Sequence, residues 1–195
     1  LKPTELTPAP ISLRSRVHDY GGGVLCCGVE GETLVLVWIA DGSLWRQDWR
    51  LPPLGTNRPE PLMQPSKLTR DGDWQLADGL LDLIRHRWLG IREINGVDQL
   101  VSAELDQTDQ EPSLLHQPAD FAGYVCLSPD RKQLASVEWQ QPAMPWDSSQ
   151  LWCADLCPSG DLRQPRVIAG GAGVSVFQPQ WLPDGRLLVA EDSSG

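Results

Sequence analysis

The chain has 195 residues and a formal net charge of −10, with 16 Lys and Arg against 26 Asp and Glu. This acidity argues against nucleic acid or anionic membranes as partners, because both attract proteins that carry an excess of Lys and Arg. The longest apolar run, Thr33–Ala40, is also far shorter than the roughly 20 residues that span a bilayer.

The cysteines and the first residues favour a cytoplasmic protein. Five cysteines, at positions 26, 27, 126, 153 and 157, are odd in number and irregularly spaced, unlike a secreted disulfide framework. Structural zinc requires four ligands in two close pairs, and the three histidines offer none. We therefore expect small buried thiols, no metal and no cofactor. The start, LKPTELTPAP, has neither an apolar signal segment nor an initiator Met, so we expect a piece of a longer cytoplasmic chain.

In chain order, short runs rich in β-branched and aromatic residues predict strands bounded by Gly, Pro, Asp and Asn. The predicted strands cover residues 23–29, 33–40, 43–48, 80–86, 88–94, 99–105, 122–127, 133–138, 150–155, 166–168, 179–182 and 186–191. Asp-Gly or Asn-Gly pairs at 41–42, 95–96 and 184–185 predict tight hairpin turns. Residues 51–66, with five Pro, are predicted to be a connector.

One segment, residues 76–88, also has apolar residues at helical spacing. They are Leu80, Leu83 and Ile84, followed by Arg87. Gly79 interrupts the start of such a helix, and Asp78-Gly79 indicates a turn before the strand predicted at 80–86.

Two motifs recur at intervals of about 50 residues. The first occupies residues 44–49 (LWRQDW), 100–105 (LVSAEL) and 151–156 (LWCADL), with Leu first, an acid fifth and a large apolar residue last. The second is a Pro-Asp turn before a strand, at 129–130 and again at 183–184. A period of about 50 residues with about four strands is typical of β-propeller blades. A sandwich whose hairpins look alike by chance is the alternative.

The sequence therefore predicts an all-β fold of four-stranded antiparallel propeller blades. About three and a half to four blades fit the chain, at residues 14–50, 71–106, 120–157 and, incomplete, 164–195. In this interpretation the LWRQDW-type motif forms the last strand of each blade.

Several segments carry motifs of a known family. They are RSRVHDYGGG at 14–23, WQQPAMPWD at 139–147 with LW at 151–152, GG at 170–171 with FQPQWLPDG at 177–185, and EDSSG at 191–195. These resemble the propeller segments RVHEYGGG, W-x-x-P-x-MPWD and FQPEWSPDG of prolyl oligopeptidase-type serine peptidases, in their bacterial dipeptidyl/acylaminoacyl peptidase branch. The resemblance covers roughly residues 14–195. Asp19 and Gln180 stand where the family has Glu, and the last segment lacks the family's Arg.

The resemblance implies a seven-bladed propeller followed by an α/β-hydrolase domain with a Ser/Asp/His triad. The nucleophile of such a domain lies in a G-x-S-x-G turn. This sequence has no such motif: its nearest string, at 173–177, lacks the second Gly, and all three histidines precede Ser175. We therefore expect no catalytic residue on this chain. The expected partners are a peptide substrate and the α/β-hydrolase domain of the same parent chain.

The segment at 139–147 supplies most of the candidate substrate-binding residues. Trp139, Met144, Trp146 and Asp147 form a loop rich in large apolar groups, which would line the cavity that faces the hydrolase domain and help to hold a peptide. An acid there could attract a free α-amino group. The alternative is packing between blades, with Asp147 capping the following turn.

Arg16 and His18 complete the candidate substrate-binding set. They could contact a carboxylate or the partner domain, and the alternative is a solvated or salt-bridged strand face. Asp48, Glu104 and Asp155 recur at one position of the first motif, so we interpret these acids as structural.

These observations favour the non-catalytic propeller lobe of a serine peptidase, which gates access and positions short peptides for the hydrolase domain. The parent activity would be of the aminopeptidase, dipeptidyl or acylaminoacyl peptidase kind. A free-standing propeller that binds a protein partner is the alternative. A sugar-binding propeller is disfavoured, because Trp45 and Trp152 recur in the strand motif and are therefore expected in the core.

Overall fold

The computed structural model describes residues 5–7, 9–53 and 58–193, and within them the strands form four antiparallel sheets. The first sheet contains β1 (Leu25–Glu30), β2 (Thr33–Ala40), β3 (Ser43–Arg50), β4 (Glu60–Pro61) and β5 (Ser66–Lys67). The second contains β6 (Gln75–Asp82), β7 (Arg87–Ile94), β8 (Val97–Glu104) and β9 (Ser113–His116). The third contains β10 (Phe121–Leu127), β11 (Gln133–Trp139), β12 (Gln150–Leu156) and β13 (Leu162–Gly170). The fourth contains β14 (Val176–Trp181) and β15 (Leu187–Glu191).

Strands pair in chain order within each sheet, so each sheet is a meander, and both β4 and β5 pair with β3. The first strands of successive sheets contact one another, β1 with β6, β6 with β10 and β10 with β14. Sheets whose first strands meet in this way are arranged around a common axis, as the blades of a propeller are. The prediction of an all-β propeller is confirmed.

Apolar clusters between neighbouring sheets hold the blades together. Between the first and second sheets they include Val35, Ile39, Leu44, Leu76, Trp88 and Val101. Between the second and third they include Leu89, Ile91, Leu100, Leu134 and Trp152. Between the third and fourth they include Val137, Leu151, Cys153 and Val176. Each face of a middle blade is therefore buried by a neighbour, and no blade buries both faces alone.

Two of the predicted hairpin turns have the expected backbone. Asp41 and Gly42 have φ of 51° and 74° between β2 and β3, and Asn95 and Gly96 have φ of 53° and 77° between β7 and β8. Positive φ at both central residues matches the right-handed twist of the strands that the turn joins. The third pair also lies between paired strands, β14 and β15, with Gly185 at a φ of 85°.

The interpretation of the LWRQDW-type motif as the last strand of a blade is wrong. Its three copies lie in β3, β8 and β12, and each of these is the third strand of its sheet. The fourth strands β4, β5 and β9 were not predicted because they are short, and β13 was predicted only at residues 166–168, after its interior Pro165. Residues 51–66, predicted to be a connector, contain β4 and the first residue of β5, and their residues 54–57 lie outside the described part of the chain.

The second sheet begins earlier than predicted, because β6 covers Gln75–Asp82 rather than residues 80–86. Asp78-Gly79 is not a turn but a β-bulge, since Ala77 pairs with Ile91 and Leu80 with Leu89. Helix is limited here to one 3₁₀ turn at Leu83–Arg85. The bulge recurs in the first strands of the next two sheets, where Tyr124 and Gln178 have φ of 55° and 49°.

The described residues contain no helix with the length and hydrophobicity that crossing a bilayer requires. All five cysteines are free thiols, and Cys153 is buried while Cys27 is exposed, so the expectation of buried thiols fails at Cys27. Burial raises the pKa of Cys26 and of Cys126 to about 12. Thiols with so high a pKa are poor nucleophiles at neutral pH.

Candidate functional site

A cavity of about 680 Å³ lies where the amino-terminal segment meets the second and third sheets. Its apolar wall contains Tyr20, Phe121, Trp139, Met144, Pro145 and Trp146. Its ionisable side chains are those of His18, Asp19 and Glu93. An apolar wall with a few charged groups, in a volume of about 300–1,000 Å³, is typical of sites that bind small ligands.

A second cavity of about 690 Å³ lies along β10, β14 and β15, beside Tyr124, Gln178 and Leu188. None of the residues that line it is acidic or basic. The first cavity therefore has the better combination of apolar surface and charge, and it is the candidate site.

His18 occupies the cavity because the amino-terminal segment is fixed on both sides of it. Val17, only 3% exposed, anchors the 3₁₀ turn Val17–Asp19, and its carbonyl accepts a hydrogen bond of 2.8 Å from the Gly21 amide. The His18 amide donates to Glu93 Oε2 at 2.5 Å. The turn thus places the His18 imidazole against the second sheet in a fixed orientation.

The His18 ring forms an ion pair with a buried carboxylate. Its Nε2 lies 2.8 Å from both side-chain oxygens of Asp98, which is fully buried and also accepts a 2.8 Å hydrogen bond from the Ala122 amide. This hydrogen bond with Asp98 raises the pKa of His18, and burial of the ring opposes the increase. The negative charges of Asp98, Glu93 and Asp78 raise the pKa further, so these carboxylates favour the protonated form of the ring.

Aromatic rings pack around this ion pair. Phe121 and Trp139 are stacked, with ring centroids 5.6 Å apart and planes at 24°. The His18 ring meets both edge-on, at 5.0 Å from Phe121 and 6.1 Å from Trp139. Edge-to-face contacts favour particular ring orientations. The contacts among these three rings therefore fix the orientation of each at the cavity wall.

The loop that supplies Met144 and Trp146 is fixed at both ends. The Gln141 amide donates to Asp120 Oδ2 at 2.9 Å, and the hydroxyl of Ser175, directly before β14, donates to the Pro145 carbonyl at 3.0 Å. Trp146 is nevertheless 66% exposed. The loop is therefore fixed in place while its indole remains exposed.

Asp147 belongs to this loop but does not line the cavity. Its carboxylate accepts a hydrogen bond of 3.3 Å from the Met144 amide, and its own amide donates to the Met144 carbonyl at 2.9 Å. These bonds make Asp147 the cap of its own turn. The turn that Asp147 caps is thus the one that contains it, and not the turn that follows.

Four of the six candidate residues, Trp139, Met144, Trp146 and His18, come together at the cavity. Arg16 is exposed and, like Asp147, is not part of the lining. Asp48 and Asp155, two of the acids interpreted as structural, pair with Arg46 and Arg166 at 2.7 Å and 3.0 Å.

Sequence reasoning missed Glu93 and Asp98, although a signal for them exists. The turn Asn95-Gly96 fixes the register of β7 and β8, and this register places Glu93 directly opposite Asp98. Like charges in that position destabilise a hairpin unless a cation compensates them. Two facing carboxylates at a predicted hairpin therefore indicate a nearby cation, and that cation is His18.

His18, Glu93 and Asp98 are also the group in which a metal ion could find ligands, since their donor atoms lie within 4.8 Å of one another. A metal would require the neutral imidazole and both carboxylates. Nε2 of His18 is already bound to Asp98, and its raised pKa favours the protonated ring. The geometry of His18 and Asp98 is that of an ion pair.

Comparison with solved structures finds close likenesses along almost the whole chain. Two crystal structures of puromycin hydrolase are 27% and 28% identical, with TM-scores of 0.81 and 0.80, and each covers 96% of this chain and 30% of its own. A puromycin-hydrolyzing peptidase of Mycobacterium tuberculosis is 27% identical with a TM-score of 0.78, over 98% of this chain and 31% of its own. No protein-family model and no curated protein sequence matches.

This chain thus spans about a third of the length of the solved proteins that it matches. The likeness extends over the blades, the amino-terminal segment and the loop beside the cavity, and it agrees with the motifs at residues 14–23, 139–147 and 177–185. The chain is similar to a propeller portion of these peptidases, which agrees with its resemblance to the propeller of prolyl oligopeptidase-type serine peptidases.

Proposed function

We propose that this chain is the non-catalytic propeller lobe of a cytoplasmic serine peptidase of the dipeptidyl or acylaminoacyl peptidase type. In this proposal the lobe limits access and positions short peptides for an α/β-hydrolase domain of the same parent protein. The observation that carries it is the cavity at which Trp139, Met144, Trp146 and His18 converge. The family likeness supports hydrolysis as the activity of the parent protein.

Positioning follows from the rigidity of the cavity wall. Phe121 begins β10 and Trp139 ends β11, and these residues are paired with each other across the sheet. Side chains fixed on strands hold a ligand with little loss of their own entropy, so more of the contact energy is available for orientation. A volume of about 680 Å³ accommodates a few residues of extended peptide and excludes a folded domain.

The related proteins are called puromycin hydrolase and puromycin-hydrolyzing peptidase, which makes puromycin a compound to test as a substrate. The experiment uses the full-length protein that carries this chain. Peptides of increasing length and a folded protein are compared as substrates, before and after Trp146→Ala. Because Trp146 contacts the ligand in this proposal but not the bond that breaks, KM for short peptides should rise about tenfold with little change in kcat.

Ile84→Ala is the matched control, since Ile84 is 70% exposed and does not line the cavity. It should leave KM unchanged. Equal cleavage of folded and short substrates, or an unchanged KM in the Trp146 variant, contradicts the proposal. So does a full-length protein without a hydrolase domain.

A further inference from the structure

We propose that Asp78, which does not itself line the cavity, is a positioning residue that fixes the amino-terminal wall of the candidate site. It holds Gly23 against β6 and thereby keeps residues 18–20 in place at the cavity. Insofar as this wall binds peptides, the role of Asp78 rests on the proposed function.

The amino-terminal wall consists of residues 18–20, whose side chains all line the cavity. At its start, the wall is attached to the second sheet by the hydrogen bond from the His18 amide to Glu93 of β7. Tyr20 at its end is 95% exposed, so packing contributes little to the position of that residue. An attachment after residue 20 is therefore needed to fix the end of the wall.

Two reciprocal hydrogen bonds between Gly23 and Asp78 provide this attachment. The Asp78 amide donates to the Gly23 carbonyl at 2.8 Å, and the Gly23 amide donates to Asp78 Oδ1 at 2.6 Å. The Asp78 amide is available because the β-bulge leaves this residue without a partner on β7. Since a hydrogen bond to a carboxylate is stronger than one between neutral groups, the pair holds this point of the segment firmly.

Glycine at positions 22 and 23 lets the backbone come close enough for these bonds. A Cβ on Gly22 would lie 2.8 Å from Ala77 Cβ and 2.9 Å from the Asp78 carboxylate. A Cβ on Gly23 would lie 3.1 Å from the same carboxylate oxygen. A larger residue at position 22 would therefore push the segment away from β6. The glycines of the motif at residues 14–23 thus have a structural reason in Asp78.

The bulge position of Asp78 recurs in the next two sheets without an acid. Tyr124 in β10 and Gln178 in β14 occupy it, also with positive φ. Asp78 has a φ of 53°, a conformation that Asp adopts more readily than most residues do. Among these three bulges, an acid is therefore present at the one to which the amino-terminal segment is bonded.

Hydrogen–deuterium exchange of the full-length protein, followed in peptides that cover residues 18–23, measures the attachment. Asp78→Ala removes the acceptor of the Gly23 amide and should speed exchange there by about tenfold or more, the effect of losing one hydrogen bond to a charged group. Asp78→Asn keeps an oxygen acceptor and should restore most of the protection. Asp109→Ala is the matched control and should change nothing, because Asp109 has a similar φ of 56° but is exposed and does not line the cavity.

A positioning role also predicts an effect on binding rather than on the chemical step. In Asp78→Ala the wall is in place for only part of the time, so KM for short peptides should rise about three- to tenfold with little change in kcat. Asp78→Asn should restore KM to within about twofold of the unaltered protein. If Asp78→Ala fails to fold, Gly22→Ala replaces it and should have the same effects, because its Cβ separates the segment from β6 without altering that strand.

Unchanged exchange at residues 18–23 in Asp78→Ala overturns the inference, and so do equal effects of the Ala and Asn variants. Faster exchange with an unchanged KM also overturns it when Trp146→Ala does raise KM. If neither Asp78→Ala nor Trp146→Ala changes KM, the proposed function fails. Faster exchange that Asp78→Asn reverses would then still support the attachment of the segment by Asp78.

Discussion

At the scale of single residues, His18 is the side chain on which the site depends. It joins the amino-terminal segment to Asp98 on β8, and its ring braces Phe121 on β10. Its 80-residue separation from Asp98 is the reason that this pair could not be predicted from the sequence. The motif that contains His18 indicated that the residue matters, but only the folded chain shows which carboxylate it meets.

The His18–Asp98 pair should make stability depend on pH. The pKa of His18 is raised in the folded chain, so protonation favours folding. The stabilisation is complete below the unfolded pKa of about 6.5 and is lost as the pH rises through the higher, folded pKa. His18→Gln should therefore lower the free energy of unfolding by about 1–3 kcal/mol at pH 5.5 and by less at pH 8.5.

Urea unfolding of both proteins at the two pH values measures this effect, and comparison at each pH cancels the contribution of other titrating groups. His86→Gln is a suitable control, because His86 forms no ion pair with an acid within the described residues. A loss of stability that is the same at both pH values would contradict a role for the charge of His18.

At the scale of elements, the bulges in the first strands decide where side chains point. In β6 the bulge at Asp78-Gly79 makes room for Trp88, which is 1% exposed and fills the space above both Gly79 and Gly90. A Cβ on Gly90 would lie 2.2 Å from the Trp88 ring and 3.0 Å from the Ala77 carbonyl. The indole and the two glycines are therefore one packing unit.

Gly90→Ala should accordingly destabilise the chain by about 1–3 kcal/mol, the usual effect of overpacking a core. The matched control is Gly123→Ala in β10, where the added Cβ would meet its nearest atom at 3.6 Å, an ordinary contact. Thermal unfolding of the two variants tests the difference. Equal unfolding midpoints for the two variants would contradict this prediction, because they would show that Trp88 can move aside without loss of stability.

These elements also show which parts of a blade can be predicted from the sequence. Strands such as β2 and β8 were predicted because short runs rich in β-branched and aromatic residues, bounded by turn residues, are local signals. The bulge was mistaken for a turn because Asp-Gly suits both, and the choice depends on Trp88 across the sheet. The short fourth strands β4 and β9 carry no pattern of their own, since β3 and β8 impose their pairing.

At the scale of the whole molecule, the amino-terminal segment covers a face of the first sheet and then reaches the candidate site. Leu6, Ile11 and Leu13 pack against a cluster of buried side chains. The cluster comprises Leu36, Trp38, Ala40 and Trp49. A few residues later the same segment places His18 against the second sheet, so sheet packing and cavity shape are connected through one stretch of backbone.

A double substitution, Ile11→Ser with Leu13→Ser, tests this connection. It should lower the free energy of unfolding by about 2–4 kcal/mol, because two partly buried aliphatic side chains lose their apolar contacts. It should also make tryptophan fluorescence more accessible to acrylamide, since Trp38 and Trp49 lie beneath the segment. Ser12→Ala, at the exposed position between them, should change neither quantity. An unchanged stability in the double variant would contradict a contribution of the segment to the packing of the first sheet.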